Sequence, residues 1–519
     1  MNNFNFKLIN NNYHHIVIII FSLLISLYYG YRGVFPIDSF LIFDAGYKIQ
    51  NKFYPFKDYW SITGPLLDYI QFLLFEIFGL SWFSYTLHAA IINCLLSITS
   101  FLFLLNIGLE KKISFLSTIC IAILAYPSTG TPFVDHHATI FSLISMMFLI
   151  LGLKNQKKIY WFLCSIFLVF SFFSKQIPSA YLGILFTLIV IIFYFKVKKN
   201  NNIFYFFYGG LIGVGLFFLL FFFQGVNIND IFVQYILYPQ SIGSSRTQNF
   251  AFDINNVFFQ FKFIYISISP LLISFLFILF YKKKEKNDKT NLLILFCLLL
   301  SFCIFLYTQI ITKNQILIFF LIPFFLALSL FYILNLFGKK KLLFYLIIFV
   351  MIITTAKYHL RFNQSKKFME LVNADFTKAI NAEILDKRLS GLKWISPQYI
   401  ENPIYELNML IHTKNIIKQD ISNKIILSDY QILPAITKTS FFAPNKWFDS
   451  LSVPEVKDKY FILYKNFFIK KLKEQDIQTI YVVGIEKLDY LKKVLDSKDC
   501  FDVKKINEIS LKLNIKNCY

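Results

Sequence analysis

Acidic residues are few in the first 356 positions and separated by long apolar runs. There are eleven of them: Asp38, Asp44, Asp58, Asp68, Glu76, Glu110, Asp135, Asp230, Asp253, Glu285 and Asp288. A carboxylate that is partly removed from water has a raised pKa and becomes a better proton acceptor. Lysine and arginine beside such a group could hold a phosphate. Carboxylates with neighbouring basic residues therefore indicate proton transfer next to a bound anion.

Asp44 and Asp135 are the leading candidates for proton transfer. Asp44 lies among apolar residues in a predicted loop of about fifty residues between the first two apolar spans, and loops this long are usually functional. Asp44 could instead cap a short helix from Ala45 to Asn51. Asp135 follows a turn-rich segment that begins at Tyr126.

A second group of residues is expected to bind substrate. Tyr54, Lys57 and Asp58 occupy a Tyr-Pro-x-Lys-Asp turn, and Lys175 follows an apolar run in Ser-Lys-Gln-Ile-Pro. Arg246 is the only arginine between Arg32 and Arg361, and its fork suits a phosphate. Lys175 could instead extend to lipid headgroups, and Arg246 could be an ordinary loop residue.

The sequence Asp135-His136-His137 also allows a divalent metal, with Asp44, Asp135 and His136 as possible ligands. Neighbouring histidines in an extended segment point to opposite sides, so at most one of them would join Asp135. His136 could equally contact a sugar. No cofactor is certain from the sequence.

Composition places most of the chain in a membrane. Of 519 residues, 56% are hydrophobic and only 16% are charged, which a water-facing surface could not accommodate. The aromatic residues lie inside apolar runs, so the net charge of +22 does not indicate a nucleic-acid partner.

Apolar stretches predict about eleven spans: Ile16 to Gly30, Phe83 to Ile107, Ile113 to Tyr126, Ala138 to Leu153, Ile159 to Ser174, Pro178 to Phe195, Ile203 to Phe223, Phe263 to Tyr281, Leu292 to Ile311, Gln315 to Phe337 and Leu342 to Ala356.

Lysines fall in every second loop, which predicts that those loops are cytoplasmic. Eleven crossings then put the N-terminus inside and the C-terminus outside. Eight of the eleven acids lie on the outer face, which we expect to be the active face. The segment from Gly64 to Phe78 carries Asp68 and Glu76, and it predicts an amphipathic helix in the interface.

Residues 357–519 are more polar and predict a soluble domain on the outer side. Lys424 to Asp429 and Ile480 to Ile485 are typical of buried strands, and a helical pattern follows from Asp489 to Leu495. We therefore expect a small α/β domain after an all-α polytopic membrane bundle at 1–356, whose first outer loop spans 31–82. Cys500 and Cys518 could form a disulfide in an oxidising compartment.

The order of these features resembles the GT-C superfamily of polytopic glycosyltransferases. The shared features are an acid after the first span, a Gly/Tyr helix, the Tyr-Pro turn, and Gly64-Pro65-Leu66 opening a helix that ends at Phe78-Gly79. The resemblance is closest to the bacterial branch with the rhizobial lipopolysaccharide core transferases, and it extends to the aminoarabinose and protein mannosyltransferases. It covers residues 16–180 well and the rest in topology only.

The resemblance implies an inverting enzyme that takes a sugar from a polyprenyl-phosphate carrier. Asp44 matches the acid that acts as base or contacts the acceptor or metal, Asp135 matches the second acid, and Asp58 is a third candidate. The acceptor would be an envelope lipid, glycan or protein. The location would be the bacterial inner membrane, with the active face periplasmic.

Two other classes stay open. A flippase or transporter would need polar groups in the middle of the spans, and these are scarce beyond Asn93 and Gln309. A non-catalytic partner in envelope assembly is the third reading, because catalytic competence is not visible in one sequence.

Overall fold

The computed structural model describes residues 13–126, 130–197, 199–248, 253–281, 286–313, 316–338, 341–449, 452–484, 488–495 and 501–516. The described residues up to Tyr358 are mostly helical. Its described α-helices are α1 (Tyr13–Gly30), α2 (Pro36–Ser39), α3 (Leu41–Gln50), α4 (Leu66–Phe78), α5 (Trp82–Ile107), α6 (Lys111–Ala125), α7 (Val134–Asn155), α8 (Lys158–Ser174), α9 (Ser179–Ile192), α10 (Phe204–Phe223), α11 (Ile228–Ile231), α12 (Tyr238–Gln248), α13 (Lys262–Tyr281), α14 (Lys286–Ile311), α15 (Leu321–Phe337) and α16 (Lys341–Tyr358).

All eleven predicted spans correspond to helices. Nine of the described helices are long and apolar enough to cross a membrane: α1, α5, α7, α9 with its continuation to Val197, α10, α13, α14, α15 and α16. The other two, α6 and α8, have 15 and 17 residues, somewhat fewer than the roughly 20 that usually span a bilayer. The predicted membrane bundle is therefore confirmed, while the number of crossings and the orientation stay predictions.

Burial separates the helices that form the centre of the bundle from those at its margin. α7 is almost entirely buried, and α15 is buried over most of its length. α10 instead exposes large apolar side chains such as Leu211 and Phe223. Side chains of this kind would be unfavourable in water, and we interpret their surfaces as facing lipid.

The first loop is folded against the ends of the spans. It contains α2, α3 and α4, and α4 confirms the helix predicted after Gly64-Pro65. The Gly64 N–H donates to the Ser174 carbonyl at 3.0 Å. A Cβ on Gly64 would overlap the Phe173 backbone, so glycine is required for the loop to approach the end of α8 this closely.

The C-terminal region contains the predicted small sheet. Its α-helices are α17 (Pro403–Gln419), α18 (Leu433–Thr437), α19 (Phe461–Glu474) and α20 (Leu488–Val494). Its strands are β1 (Ile380–Asn381), β2 (Lys393–Trp394), β3 (Lys424–Ser428), β4 (Thr479–Val483), β5 (Phe501–Asn507) and β6 (Ser510–Ile515).

The four longer strands form one mixed sheet in the order β3-β4-β6-β5. β3 and β4 pair in parallel, whereas β6 pairs antiparallel with both β4 and β5. β3 and β4 are mostly buried, as parallel strands covered on both faces usually are. The proposed domain boundary after residue 356 falls inside a helix, because α16 ends at Tyr358 and a further helical turn reaches Gln364.

The C-terminal region is joined to the first loop by backbone pairing. The N–H groups of Gly33 and Val34 donate to the carbonyls of Lys393 and Ile395, each at 2.9 Å. Gly33 has a φ of +74°, and a Cβ there would lie 2.6 Å from Leu371. These contacts join the C-terminal region and the first loop into one continuous structure.

Candidate functional site

A cavity of about 930 Å³ lies where the first loop, the spans and the C-terminal region meet. Its walls are largely apolar, with Ile62, Phe172 and Ile236 among the residues that line it. Three acidic and two basic side chains are among the described residues of the lining: Asp38, Asp135, Asp449, Lys175 and Arg246. A space of this size with a few convergent charges is typical of a ligand site.

Asp38 is the carboxylate that the first loop contributes to the cavity. It lies on α2, which begins at Pro36, where a missing N–H costs nothing because the first N–H groups of a helix have no partner. The Phe35 N–H donates to the Ser39 hydroxyl at 2.8 Å, and this bond closes the same turn. Asp38 is 7% exposed, so its carboxyl group is mostly shielded from water.

Asp135 and Lys175 form the second charged element. Asp135 lies in the first turn of α7, where the helix dipole favours a negative charge. Lys175 follows the last residue of α8, and its Nζ lies 2.6 Å from Asp135 Oδ1. The lysine side chain retains 17% exposure, which leaves it able to contact a ligand in the cavity.

α12 forms another side of the cavity and supplies Arg246. Arg246 lies in the last turn of α12, and both α12 and the residue after Lys175 line the cavity. The Gln176 amide donates to the carbonyls of Ile62 and Tyr235, at 2.8 and 2.6 Å. Gln176 therefore links the first loop to the segment that leads into α12.

The electrostatic environment of Asp38 differs from that of a surface carboxylate. Burial is the main cause that raises the pKa of Asp38 to about 8, and the carboxylates of Asp135 and Asp449 act in the same direction. The Lys175 ammonium acts in the opposite direction and lowers the pKa of Asp38. A carboxyl group with a pKa close to the working pH is well suited to accept a proton.

Asp44, the base expected from the sequence, does not line this cavity. Its carboxylate is paired with Lys48 at 2.8 Å, one turn along α3. The Lys48 ammonium also donates to the Asn445 carbonyl at 2.7 Å, so the C-terminal region covers the pair. The position predicted for a catalytic acid is thus occupied by a buried ion pair, and Asp38 is the first-loop carboxylate in the cavity.

The Tyr54, Lys57 and Asp58 turn also lies outside the cavity lining. Asp58 accepts the Tyr54 N–H at 2.9 Å and lies 3.4 Å from Lys471 of α19. The Lys57 ammonium donates to the Gln224 carbonyl at 2.9 Å. These contacts close the turn and connect it to neighbouring elements, and the substrate-binding role predicted for the three residues receives no support from them.

His136 is fully buried and packs against Tyr126 and Phe133, with ring centroids 5.1 and 5.6 Å apart. It is not part of the cavity lining. In the part of the chain that the structure describes, no three His, Cys, Asp or Glu side chains converge as a metal-ligand set. With Asp44 paired to Lys48, the described residues Asp44, Asp135 and His136 do not form the ligand set that the sequence suggested. Cys500 and Cys518 lie outside the described residues.

The prediction from the sequence assigned proton transfer in the first loop to Asp44 and did not select Asp38. Both residues follow the first span and both stand in apolar surroundings. The signal that separates them is local: Pro36 begins a short turn at Asp38, whereas Asp44 has a lysine four residues later, the spacing of an ion pair on one helix face. Asp449 and Trp447 also line the cavity, and neither belongs to a sequence motif that would mark it as a site residue.

No protein-family model matches the sequence, and no curated protein matches it significantly. Among solved structures, the chain is similar to ArnT from Cupriavidus metallidurans bound to undecaprenyl phosphate, with 11% identity and a TM-score of 0.52. That match covers 97% of this chain and 98% of ArnT. A second match is the archaeal oligosaccharyltransferase AglB from Archaeoglobus fulgidus, in complex with an inhibitory peptide and a dolichol-phosphate. It has 10% identity and a TM-score of 0.48, and the match covers 93% of this chain and 71% of AglB.

The full-length similarity to ArnT shows that this chain shares its fold. In this chain the fold is a bundle of apolar helices followed by a C-terminal region with a small sheet. The prediction of that fold class is confirmed. The narrower resemblance to the rhizobial branch stays a prediction.

Proposed function

We propose that this protein transfers a sugar from a polyprenyl-phosphate carrier to an envelope acceptor, at the periplasmic face of the bacterial inner membrane. The observation that carries the proposal is the shared cavity of Asp38, Asp135, Lys175 and Arg246. It combines a proton acceptor, two cations and an apolar wall. The ArnT structure of the same fold holds undecaprenyl phosphate, which is a ligand of this chemical type.

In the proposed reaction, Asp38 accepts the proton of an acceptor hydroxyl or amine. The acceptor atom forms a bond to the anomeric carbon of the sugar, on the face opposite the phosphate. The bond between the anomeric carbon and the phosphate oxygen breaks, and the electron pair leaves with the lipid phosphate. Configuration at the anomeric carbon is therefore inverted.

Lys175 and Arg246 would stabilise the departing phosphate. Negative charge grows on the phosphate oxygen as the bond breaks, and cations already held in place stabilise that charge without reorganisation. Asp135 orients Lys175 through the 2.6 Å contact. The apolar residues of the wall, such as Phe172 and Ile236, would contact the polyprenyl chain.

The test is a comparison of membrane extracts by mass spectrometry, from cells with and without the protein, complemented by wild type or by Asp38→Asn. A sugar missing from an envelope lipid, glycan or protein, and restored only by wild type, would support the proposal. Accumulation of an untranslocated lipid with unaltered sugar content would instead indicate a flippase. Full complementation by Asp38→Asn would contradict the assigned base.

A further inference from the structure

Residues 444–449 of the C-terminal region, called here the docking segment, are held between α3, α4 and the cavity. The Trp60 N–H donates to the Pro444 carbonyl at 3.0 Å, and the Lys446 N–H donates to the Trp60 carbonyl at 2.9 Å. The Lys446 ammonium lies 2.7 Å from Asp68 Oδ1, and both side chains are almost fully buried. Backbone and side-chain contacts thus fix this segment on the first loop.

Two residues at the end of the docking segment reach the cavity. The Trp447 indole N–H donates to the carbonyl of Ile37 at 2.9 Å, and Ile37 is the neighbour of Asp38 on α2. Asp449 lines the cavity with Asp38 and accepts the Ser452 N–H at 2.6 Å. Its carboxylate is therefore held in place by a backbone contact.

We infer that the docking segment completes the active site: Trp447 is a positioning residue that fixes the turn bearing Asp38, and Asp449 is a tuning residue that brings a second negative charge into the cavity that Asp38 lines. This inference rests on the proposed function for its kinetic consequences. It assigns the C-terminal region a role in catalysis in addition to covering the first loop.

The charges around Asp38 come from several elements. Asp135 faces it from α7 and Lys175 from the end of α8, while Asp449 and Asp429 act from the C-terminal region. Of these, Asp135 and Lys175 are paired with one another, so their effects on Asp38 partly cancel. Asp449 is the stronger of the two influences from the C-terminal region, and it is the one that also lines the cavity.

The experiment compares Asp449→Asn with wild type in vesicles. Removal of the negative charge should lower the pKa of Asp38 and move the acid limb of the pH-rate profile to lower pH, by roughly half a unit. Asp489→Asn is the matched control, because Asp489 is a 91% exposed carboxylate of the same region, on α20. Its profile should coincide with wild type.

Trp447→Phe keeps an aromatic ring but removes the N–H that holds the Ile37 carbonyl. A positioning role predicts a lower kcat, by about tenfold, with the KM for the lipid donor nearly unchanged. A tenfold loss corresponds to about 1.4 kcal/mol, at the upper end of what one hydrogen bond contributes. Equal rates for Trp447→Phe and wild type would overturn this part of the inference.

A second readout separates this inference from the proposed function. Infrared titration of the Asp38 carboxyl band, assigned by its loss in Asp38→Asn, needs no turnover. A downward shift of that titration in Asp449→Asn would support the tuning role even if no sugar transfer were found. An identical titration in Asp449→Asn and wild type would overturn it, whatever the activity.

Discussion

Lys175 Nζ lies 2.6 Å from Asp135 Oδ1 and joins the end of α8 to the first turn of α7. The two residues are forty positions apart, and the sequence predicts different roles for them, an acid for Asp135 and a phosphate ligand for Lys175. Their contact means that the second acid of the site is already paired with a cation. Asp38 is the carboxylate that the first loop contributes to the same cavity, and it is the proton acceptor in the reaction we propose.

Asp38→Asn should lower transfer by about a hundredfold or more, because general base catalysis typically contributes that much. Donor binding should be retained, since Lys175 and Arg246 are untouched. Initial rates and lipid-phosphate binding in vesicles check both expectations.

Asp44→Asn is the matched comparison for Asp38→Asn, because it removes a second buried carboxylate of the same loop. It leaves the Lys48 ammonium buried without its carboxylate partner, so we expect a lower melting temperature and a kcat within about tenfold of wild type. A loss of transfer as large as in Asp38→Asn, with normal insertion and stability, would return the base to Asp44.

The rate should rise with pH through about 8, the raised pKa of Asp38. Only the ionised carboxylate accepts a proton, so the protonated form below this pH is inactive. The transfer rate, measured as a function of pH at a saturating concentration of the lipid donor, tests this rise. A rate independent of pH between about 6 and 9 would exclude Asp38 as the base.

The same group makes a prediction for stability. The pKa of Asp38 is higher in the folded protein than its ordinary value of 3.8, so the folded state favours the proton. Ionisation of Asp38 therefore lowers the free energy of unfolding as pH rises from about 4 to about 8, and above about 8 this loss no longer grows. Asp38→Asn should gain stability relative to wild type over this window, as thermal unfolding at several pH values would detect.

Lys175→Gln and Arg246→Gln should each weaken binding of the lipid phosphate by about ten- to a hundredfold, the usual effect of losing a hydrogen bond to a charged group. Lys57→Gln is the control: it removes a lysine that contacts the Gln224 carbonyl outside the cavity lining. If Lys57→Gln weakened donor binding as much as Lys175→Gln, the phosphate site would need to be moved to the Tyr54 turn.

Lys446→Met should destabilise the protein by about 3 to 5 kcal/mol, because it leaves Asp68 buried without its ammonium partner. Lys470→Met removes an exposed lysine that lies 3.8 Å from Glu474 on α19, and it should cost less than about 1 kcal/mol. Thermal unfolding and protease sensitivity of the C-terminal region measure the difference. Comparable losses in the two variants would mean that the Asp68 contact contributes little to docking.

The sequence by itself determined the membrane bundle, the helix after Gly64-Pro65 and the strands β3 and β4. These features depend on apolar length, on residue period and on local turn chemistry, which a single segment contains. It also selected Asp135 and Lys175, which lie near the ends of apolar runs, and Arg246, which is the only arginine between Arg32 and Arg361.

Only the tertiary structure decided which first-loop acid enters the cavity. The spacing of Asp44 and Lys48 allows an ion pair, but only the structure shows that the distant Asn445 covers this pair and that Asp38 lines the cavity. The contribution of Trp447 and Asp449 likewise depends on pairing between Trp60 and residues almost four hundred positions away. Such contacts follow from the docking of whole elements, and no local pattern of residues encodes them.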